Sequence, residues 1–425
     1  MILTVTPNAA VDRTYRIDGF ALDRVNRPSE AFTVAGGKGI NVARVYQTLG
    51  GRAIATGFLG GNNGRIVAEA LEREGIANAC VPVTGETRLC IAVIDPSTGS
   101  QTEINERGAV VSTEDVEMLI HRVDSLLTQN AFEFVVLSGS LPPGVPLTLY
   151  ADLIGVAHRA GVRTVLDSSG AALRQGLYAR PWMVKPNRAE LAAIRNDDPN
   201  EDSSFATDWA LGVGRSALER DDLKRGSLNP EKGGSNERSI DIDSAQALHS
   251  EYNIPVVALT LGSEGAILVA EGKVWCATPP PIEFASAVAS GDSFLAAFLW
   301  SWNHSNSSSS NSSSSNRNSS NRNSSSNSSD VVSDEVFDKI SDNIETDLAV
   351  SESYSGRADR YQKKLERPEP IPEWLRPEDP ASALRLATGA GAANAAVIGA
   401  GFCTRESIFA LAAKAELHVP HPEMR

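Results

Sequence analysis

The sequence has little of what disulfide-built, zinc-built or nucleic-acid-binding proteins rely on. Its four cysteines, Cys80, Cys90, Cys276 and Cys403, lie far apart with no C-x-x-C pair, and its six histidines show no ligand spacing. This excludes a disulfide framework and a structural zinc site and fits a reduced, cytoplasmic protein. Basic residues are outnumbered: 39 Lys and Arg stand against 53 Asp and Glu, a formal charge of -14. A surface of that sign repels phosphate backbones, so nucleic acid is not an expected partner. The amino terminus, MILTVTPNAAVD, has no basic start and meets Pro7 and Asp12 before an apolar run reaches signal-peptide length. The most apolar small-residue run, 387–402, is interrupted by Asn394 and falls short of the roughly 20 residues that a membrane span requires. It reads as a buried helix, and no membrane association is expected.

What is present is a long chain of 425 residues, 41% of them hydrophobic, able to build a sizeable core. Over the first 200 residues, short β-branched runs alternate with helical patterns: ILTVT, AIATGFLG and FVVLSG each lead into a helix-like stretch, and VRTVLD is followed by WMVKP. Alternation of this kind predicts a mostly parallel sheet with helices on both faces, which binds its ligands beyond the strand C-termini. Segments 14–17 with 31–34, and 89–94 with 101–104, alternate polar and apolar residues more clearly and predict a small, half-exposed sheet over the main one. Two stretches break the pattern. Residues 196–241 are acidic and Gly/Asn-rich, while 301–379 begin as almost pure Ser and Asn and end acidic and Pro-rich. Neither holds enough apolar surface to offset the entropy of ordering it, so both read as surface insertions. The few Arg residues of the Ser/Asn tract are outweighed by the acidic segment that follows it, which argues against RNA contact.

Three constellations carry chemistry. Ala289-Ser290-Gly291-Asp292 precedes the apolar FLAAFLW, so small residues open a helix whose first N–H groups are free for a phosphate. Asp292 either accepts a proton from an attacking hydroxyl there or merely complements the helix dipole. Ala35-Gly36-Gly37-Lys38-Gly39-Ile40-Asn41 is a Gly-rich helix start that lets backbone approach a ligand, and its spacing is not that of a P-loop. Lys185-Pro186-Asn187-x-x-Glu190 ends a strand and opens a helix; Asn187 and Glu190 form either a capping box or a site ordering Mg²⁺ and nucleotide phosphates.

Together these motifs are similar to those of the ribokinase-like (PfkB) carbohydrate kinases. GGKGINVAR and SGDSFLAAF resemble the two family signatures, and KPNRAEL and TLGSEGAIL fall between them in the family's order. The resemblance spans residues 1 to about 195, 243–300 and, from about 380, ALRLATGAGAANAA; it leaves only the insertions outside. TVTPNAAVDRTY, TRLCIAVID, QTEINERG, LSGSLPPGVP and LDSSGAAL resemble the 1-phosphofructokinase and tagatose-6-phosphate kinase branch. The resemblance implies a three-layer α/β/α kinase domain over 1–300 and 380–425, with a β-sheet lid near 14–34 and 88–105. It further implies ATP as co-substrate, Mg²⁺, a sugar phosphate as acceptor and a homodimer paired through the lid. Residue by residue it makes Asp292 the base and the N–H groups of Ala289, Ser290 and Gly291 the anion hole. Asp12, Gly37, Lys38 and Asn41 would position the sugar. Arg88, with Lys38 and residues Ser138, Gly139 and Ser140, would face the phosphate it already carries. Asn187 and Glu190 would support Mg²⁺ and the triphosphate, Lys185, Thr260 and Gly262 would lie along the nucleotide, and Asn394 would sit near adenosine. The family's anion hole opens on glycine where this chain has Ala289. If that position needs a positive φ, alanine there is strained.

Overall fold

The computed structural model describes residues 1–195, 234–307, 372, 374, 375 and 379–420. Its fifteen described strands, in chain order, are β1 Ile2–Thr6, β2 Ala10–Arg16, β3 Glu30–Gly36, β4 Ala53–Leu59, β5 Ala77–Asn78, β6 Val81–Pro82, β7 Arg88–Asp95, β8 Ser100–Asn105, β9 Phe134–Ser138, β10 Arg163–Asp167, β11 Met183–Val184, β12 Val256–Thr260, β13 Ala266–Ala270, β14 Lys273–Thr278 and β15 Glu416–His418. The described helices are α1 Lys38–Thr48, α2 Gly61–Arg73, α3 Thr113–Gln129, α4 Leu149–Arg159, α5 Gly170–Tyr178, α6 Arg188–Arg195, α7 Gly234–Glu251, α8 Ser290–Ser307, α9 Pro380–Ala395 and α10 Arg405–Ala412.

The continuous apolar runs become strands buried on both faces, as β1, β4, β9, β12 and β13 show at every position. They join one sheet in the order β15-β14-β13-β12-β11-β10-β9-β1-β4-β5, parallel from β12 through β5 and antiparallel at the β13–β15 edge. Helices cover both faces. One core gathers residues of α1, α8 and α9, and the other residues of α3, α4 and α5. The chain winds from β1 to β4 on one side and later to β9 on the other, so the order reverses at β1. Open sheets of this design bind ligands beyond the strand C-termini at such a reversal.

The alternating segments form the second sheet, β3-β2-β7-β8. β1 reaches β2 through residues 7–9, and β3 runs directly into the Gly-rich start of α1, so the lid is continuous with the floor of the site.

The insertion boundaries differ from the expected ones. The helix carrying Asp292 continues to Ser307, because Trp302 stacks on Phe298 and meets Trp182 edge-on. At the far end Trp374 and Leu375 lie against the core, and Asp379 caps α9 through Ala381 N–H at 3.1 Å. The acidic stretch likewise ends early: α7 starts at Gly234, and Asp241 is buried against the Arg188 guanidinium at 2.7 Å. The remainder of both expected insertions, 196–233 and most of 308–378, lies outside the described residues.

Candidate active site

The C-terminal ends of β1, β9, β10, β11 and β12 and the N-termini of α1 and α8 converge on one group of side chains. Asp292, in the first turn of α8, is buried and accepts a hydrogen bond from Asn41 Nδ2 at 2.8 Å. Asn41 cannot turn freely. Its Oδ1 accepts from the Nη1 of Arg44 at 2.9 Å, and that buried guanidinium is fixed in turn by Glu74, Ala35 O and Ala400 O. Burial, with Asp167 nearby, pushes the Asp292 carboxyl up to about 6, against the pull of Lys38, Asn41 and Lys185. A carboxylate so placed is a better proton acceptor than an exposed one.

Around it stands a charge array. Asp167, wholly buried at the end of β10, takes Lys38 Nζ on Oδ1 and Lys185 Nζ on Oδ2, both at 3.1 Å. Burial opposes its charge, but the two ammonium groups outweigh it and hold the carboxyl below its usual range. Lys38 also lies 3.5 Å from Glu190, and these carboxylates together raise its pKa despite burial. Its two ion-pair partners thus tie Lys38 to the end of β10 and the start of α6. Asp167 was absent from the residues singled out in the sequence, although a lone acid closing an apolar strand (TVLD) is a readable signal. Arg44 was also missed, since a helical arginine after an amphipathic start reads as solvated.

At the tip of α8, Ala289 has φ 62°. The family glycine position does require the left-handed region, which costs alanine about 1 kcal/mol more than glycine. The N–H groups of Ala289, Gly291 and Asp292 find no acceptor among the described residues, whereas Ser290 N–H is taken by Ala287 O at 3.2 Å. Ser290 therefore leaves the expected set of free amides and Asp292 joins it. Gly291 lies so close to Lys185 that a Cβ there would stand 3.4 Å from its Nζ.

On the lid side, Asp12 packs against Gly36 so tightly that any Cβ at Gly36 would overlap its carboxyl. Burial pushes Asp12 up to about 6, opposed by Arg88 and Arg44. Gly37, at φ 107°, caps α1 without a side-chain cap, and a Cβ there would meet Thr6. Arg88 is half-buried, its guanidinium fixed by Asn8 O at 3.2 Å and Glu106 O at 3.1 Å, while Asn8 reaches Ser140 Oγ at 3.0 Å. Asn8 thus holds both Arg88 and Ser140. Ser138 does not join them; it is wholly buried and its Oγ has no partner among the described residues. Gly139 adopts φ 98° and turns the chain, its carbonyl accepting from Tyr150 and Ser168.

The capping-box reading of Asn187 and Glu190 is the one the structure displays. They form a reciprocal capping box, at 2.9 and 2.8 Å, while the other Glu190 oxygen faces Lys38. Thr260 is tied to Pro186 O by its backbone at 3.0 Å, and Gly262, at φ 62°, opens the following 3-10 turn. Asn394 lies beside the loop that opens α8. It is wholly buried, with Nδ2 on Val288 O at 2.6 Å and Oδ1 on Gly401 N–H at 2.8 Å, so its amide faces the anion-hole loop.

The sequence profile of the pfkB family carbohydrate kinases matches residues 5–213 and 234–311. A tagatose-6-phosphate kinase of Staphylococcus epidermidis is 34% identical over 298 residues, covering 70% of this chain and 83% of that protein. A 1-phosphofructokinase of Rhodobacter capsulatus is 32% identical over 298 residues, covering 70% and 82%. Among solved structures, the tetrameric inhibited form of phosphofructokinase-2 from Escherichia coli superposes with a TM-score of 0.63 at 22% identity, over 97% of this chain and 98% of that one. The ribokinase-like fold, the ordered motifs and these matches agree, and the chain belongs to the PfkB family of carbohydrate kinases.

Proposed function

We propose that the protein transfers the γ-phosphoryl of ATP to a hydroxyl of a sugar phosphate. The acceptor is fructose 1-phosphate, giving fructose 1,6-bisphosphate, or tagatose 6-phosphate, giving tagatose 1,6-bisphosphate; the two named relatives carry these activities. The observation that carries the reading is the buried Asp292 carboxylate, oriented by Asn41 beside unpaired helix-tip amides and the Lys38–Asp167–Lys185 array.

Asp292 accepts the proton of the attacking hydroxyl, and the amides of Ala289, Gly291 and Asp292 take the charge that develops on the migrating phosphoryl group. Asp12 and Asn41 position the sugar, and Arg88 with Asn8 and Ser140 faces the phosphate already present. Lys185, Thr260 and Gly262 line the nucleotide. The two lysines suit the phosphates of a magnesium triphosphate, and Glu190, whose Oε1 lies outside its capping bond, with Asn187 would support the metal through water. When bound, that metal would neutralise charge on the β- and γ-phosphates. The lid closes over the sugar and excludes water, which limits wasteful hydrolysis of ATP.

Leu22, Val25 and Ile104 on or beside the lid are 84%, 77% and 58% exposed, and they support a homodimer formed through it. Among the described residues no helix is long and apolar enough to cross a membrane, and a cytoplasmic location is proposed. The test is ADP release with fructose 1-phosphate, tagatose 6-phosphate, fructose 6-phosphate and unphosphorylated ribose; turnover confined to ribose, or absent, overturns the reading. The strained Ala289 favours one second reading, a sugar-phosphate sensor with little or no turnover. Such a sensor would bind fructose 1-phosphate in the presence of Mg-ATP and release it unchanged.

A further inference from the structure

The anion-hole loop contains a conflict. Ala287, Val288 and Ala289 lead directly into α8, and alanine is the strongest helix former. If Ala289 relaxed into the right-handed region, the helix would extend back by a turn. The Asp292 N–H would then bond to Val288 O and the Gly291 N–H to Ala287 O. Both amides would be withdrawn from any phosphate. Instead Ala289 stays at φ 62°, and a residue in that region persists only where its surroundings over-determine it.

The surroundings that do so come from the end of α9. Asn394 Nδ2 donates to Val288 O at 2.6 Å and lies 3.4 Å from Ser290 Oγ, so it spans Ala289 from both sides. It captures the very carbonyl that a longer helix would give to the Asp292 amide. Gly401 N–H, bonded to Asn394 Oδ1 at 2.8 Å, dictates which end of the side-chain amide faces the loop. Ala395 O accepts from the N–H groups of Ala285 and Ser286 at 2.8 and 3.2 Å and anchors the start of the same loop.

We infer that Asn394 is a positioning residue for phosphoryl transfer: by holding Val288 O it keeps α8 one turn short and leaves the Gly291 and Asp292 amides free for the phosphoryl group. The inference rests on the kinase reading above, and it assigns Asn394 to the anion hole instead of the adenosine pocket.

The test compares full-length wild type with Asn394→Ala, Asn394→Asp and the double variant Asn394→Ala with Ala289→Gly. Two readouts are taken: steady-state kinetics with Mg-ATP and fructose 1-phosphate, and amide hydrogen exchange over residues 285–292. Asn394→Ala should lower kcat at least tenfold, with KM for both substrates within about threefold, and slow exchange of the Asp292 amide. Asn394→Asp cannot donate to a carbonyl and should fall at least as far. Adding Ala289→Gly, which disfavours helix and tolerates the left-handed region, should recover about fivefold of the lost kcat. A melting temperature that falls while kcat and exchange over 285–292 stay at wild-type values would show Asn394 to be structural only and overturn the inference. Loss of kcat that Ala289→Gly does not relieve would overturn it too. If wild type itself turns over none of the sugar phosphates, the kinase reading fails, and exchange alone decides whether Asn394 governs the loop.

Discussion

Two side chains at the tip of α8 set the behaviour of the site. Folded Asp292 titrates near 6 against an ordinary 3.8, so the folded protein holds that proton more tightly than the unfolded chain. The contribution to stability therefore falls as pH rises from about 4 to 6, and at neutral pH the buried charge costs up to roughly 3 kcal/mol. Asp292→Asn removes the charge while its side-chain oxygen can still accept from Asn41. Its melting temperature is expected to rise, by an amount equivalent to about 1–3 kcal/mol in denaturant titration, while nearly all turnover disappears and both ligands still bind. With Asp292 as the proposed base, which must be ionised, kcat should depend on pH in the opposite sense and decline as pH falls through about 6, and a flat kcat profile from pH 5 to 8 would remove Asp292 from that role. Ala289 gives a second handle. A β-branched residue is far more restricted at positive φ than alanine, so Ala289→Val should lower kcat at least about tenfold while Ala289→Gly equals or exceeds wild type.

At the scale of elements, the site depends on strand ends and helix starts held at fixed separations. The end of β10 places Asp167 between Lys185, itself buried, and Lys38. Asp167→Asn would leave the buried Lys185 without its ion-pair partner and Lys38 with Glu190 alone, and the expected loss is about 3–5 kcal/mol, measurable by urea denaturation. The β8 strand offers a separate test. Its Ile104 is 58% exposed next to the end of an otherwise polar lid strand, so Ile104→Asp should shift the proposed lid-paired dimer toward monomer in sedimentation while the active site keeps its geometry. The same strand touches the anion-hole loop, where Ser286 Oγ lies 3.4 Å from Gln101 Oε1, so lid and loop share a contact.

At the scale of the molecule, α8 and α9 run antiparallel, since Asn394 near the end of α9 meets Val288 just before α8. A helix of 18 residues is about 27 Å long, so residue 307 leaves the fold that far from the transfer site. Removing residues 308–371 and joining the ends by a short flexible linker should leave kcat within about twofold, as read by the ADP-release assay. Much of this architecture was legible in the chain itself. The period of the apolar runs separated sheet from lid, because burial on both faces demands continuous apolar strands and burial on one face demands alternation. The glycines at 37, 39 and 291 and the acid at 292 marked the helix tips, because small residues at a helix start leave its first N–H groups uncovered. What pattern could not convey was the pairing of distant groups. Asp167 between two lysines, Arg44 anchored on Ala400 O, and Asn394 on Val288 O join residues 18 to 356 positions apart. The insertion edges differ for a related reason: Trp302 looks like linker composition until Trp182 and Phe298 are found beside it, and Trp374 until it packs against the core. The sequence by itself determined which segments become strands, helices and bare helix tips, since local periodicity and backbone freedom are written residue by residue. Only the tertiary structure decided the charge state of Asp292, the strained turn at Ala289 and the partner of Asn394, because burial and hydrogen bonding depend on neighbours that meet when the sheet and its helices close around one point.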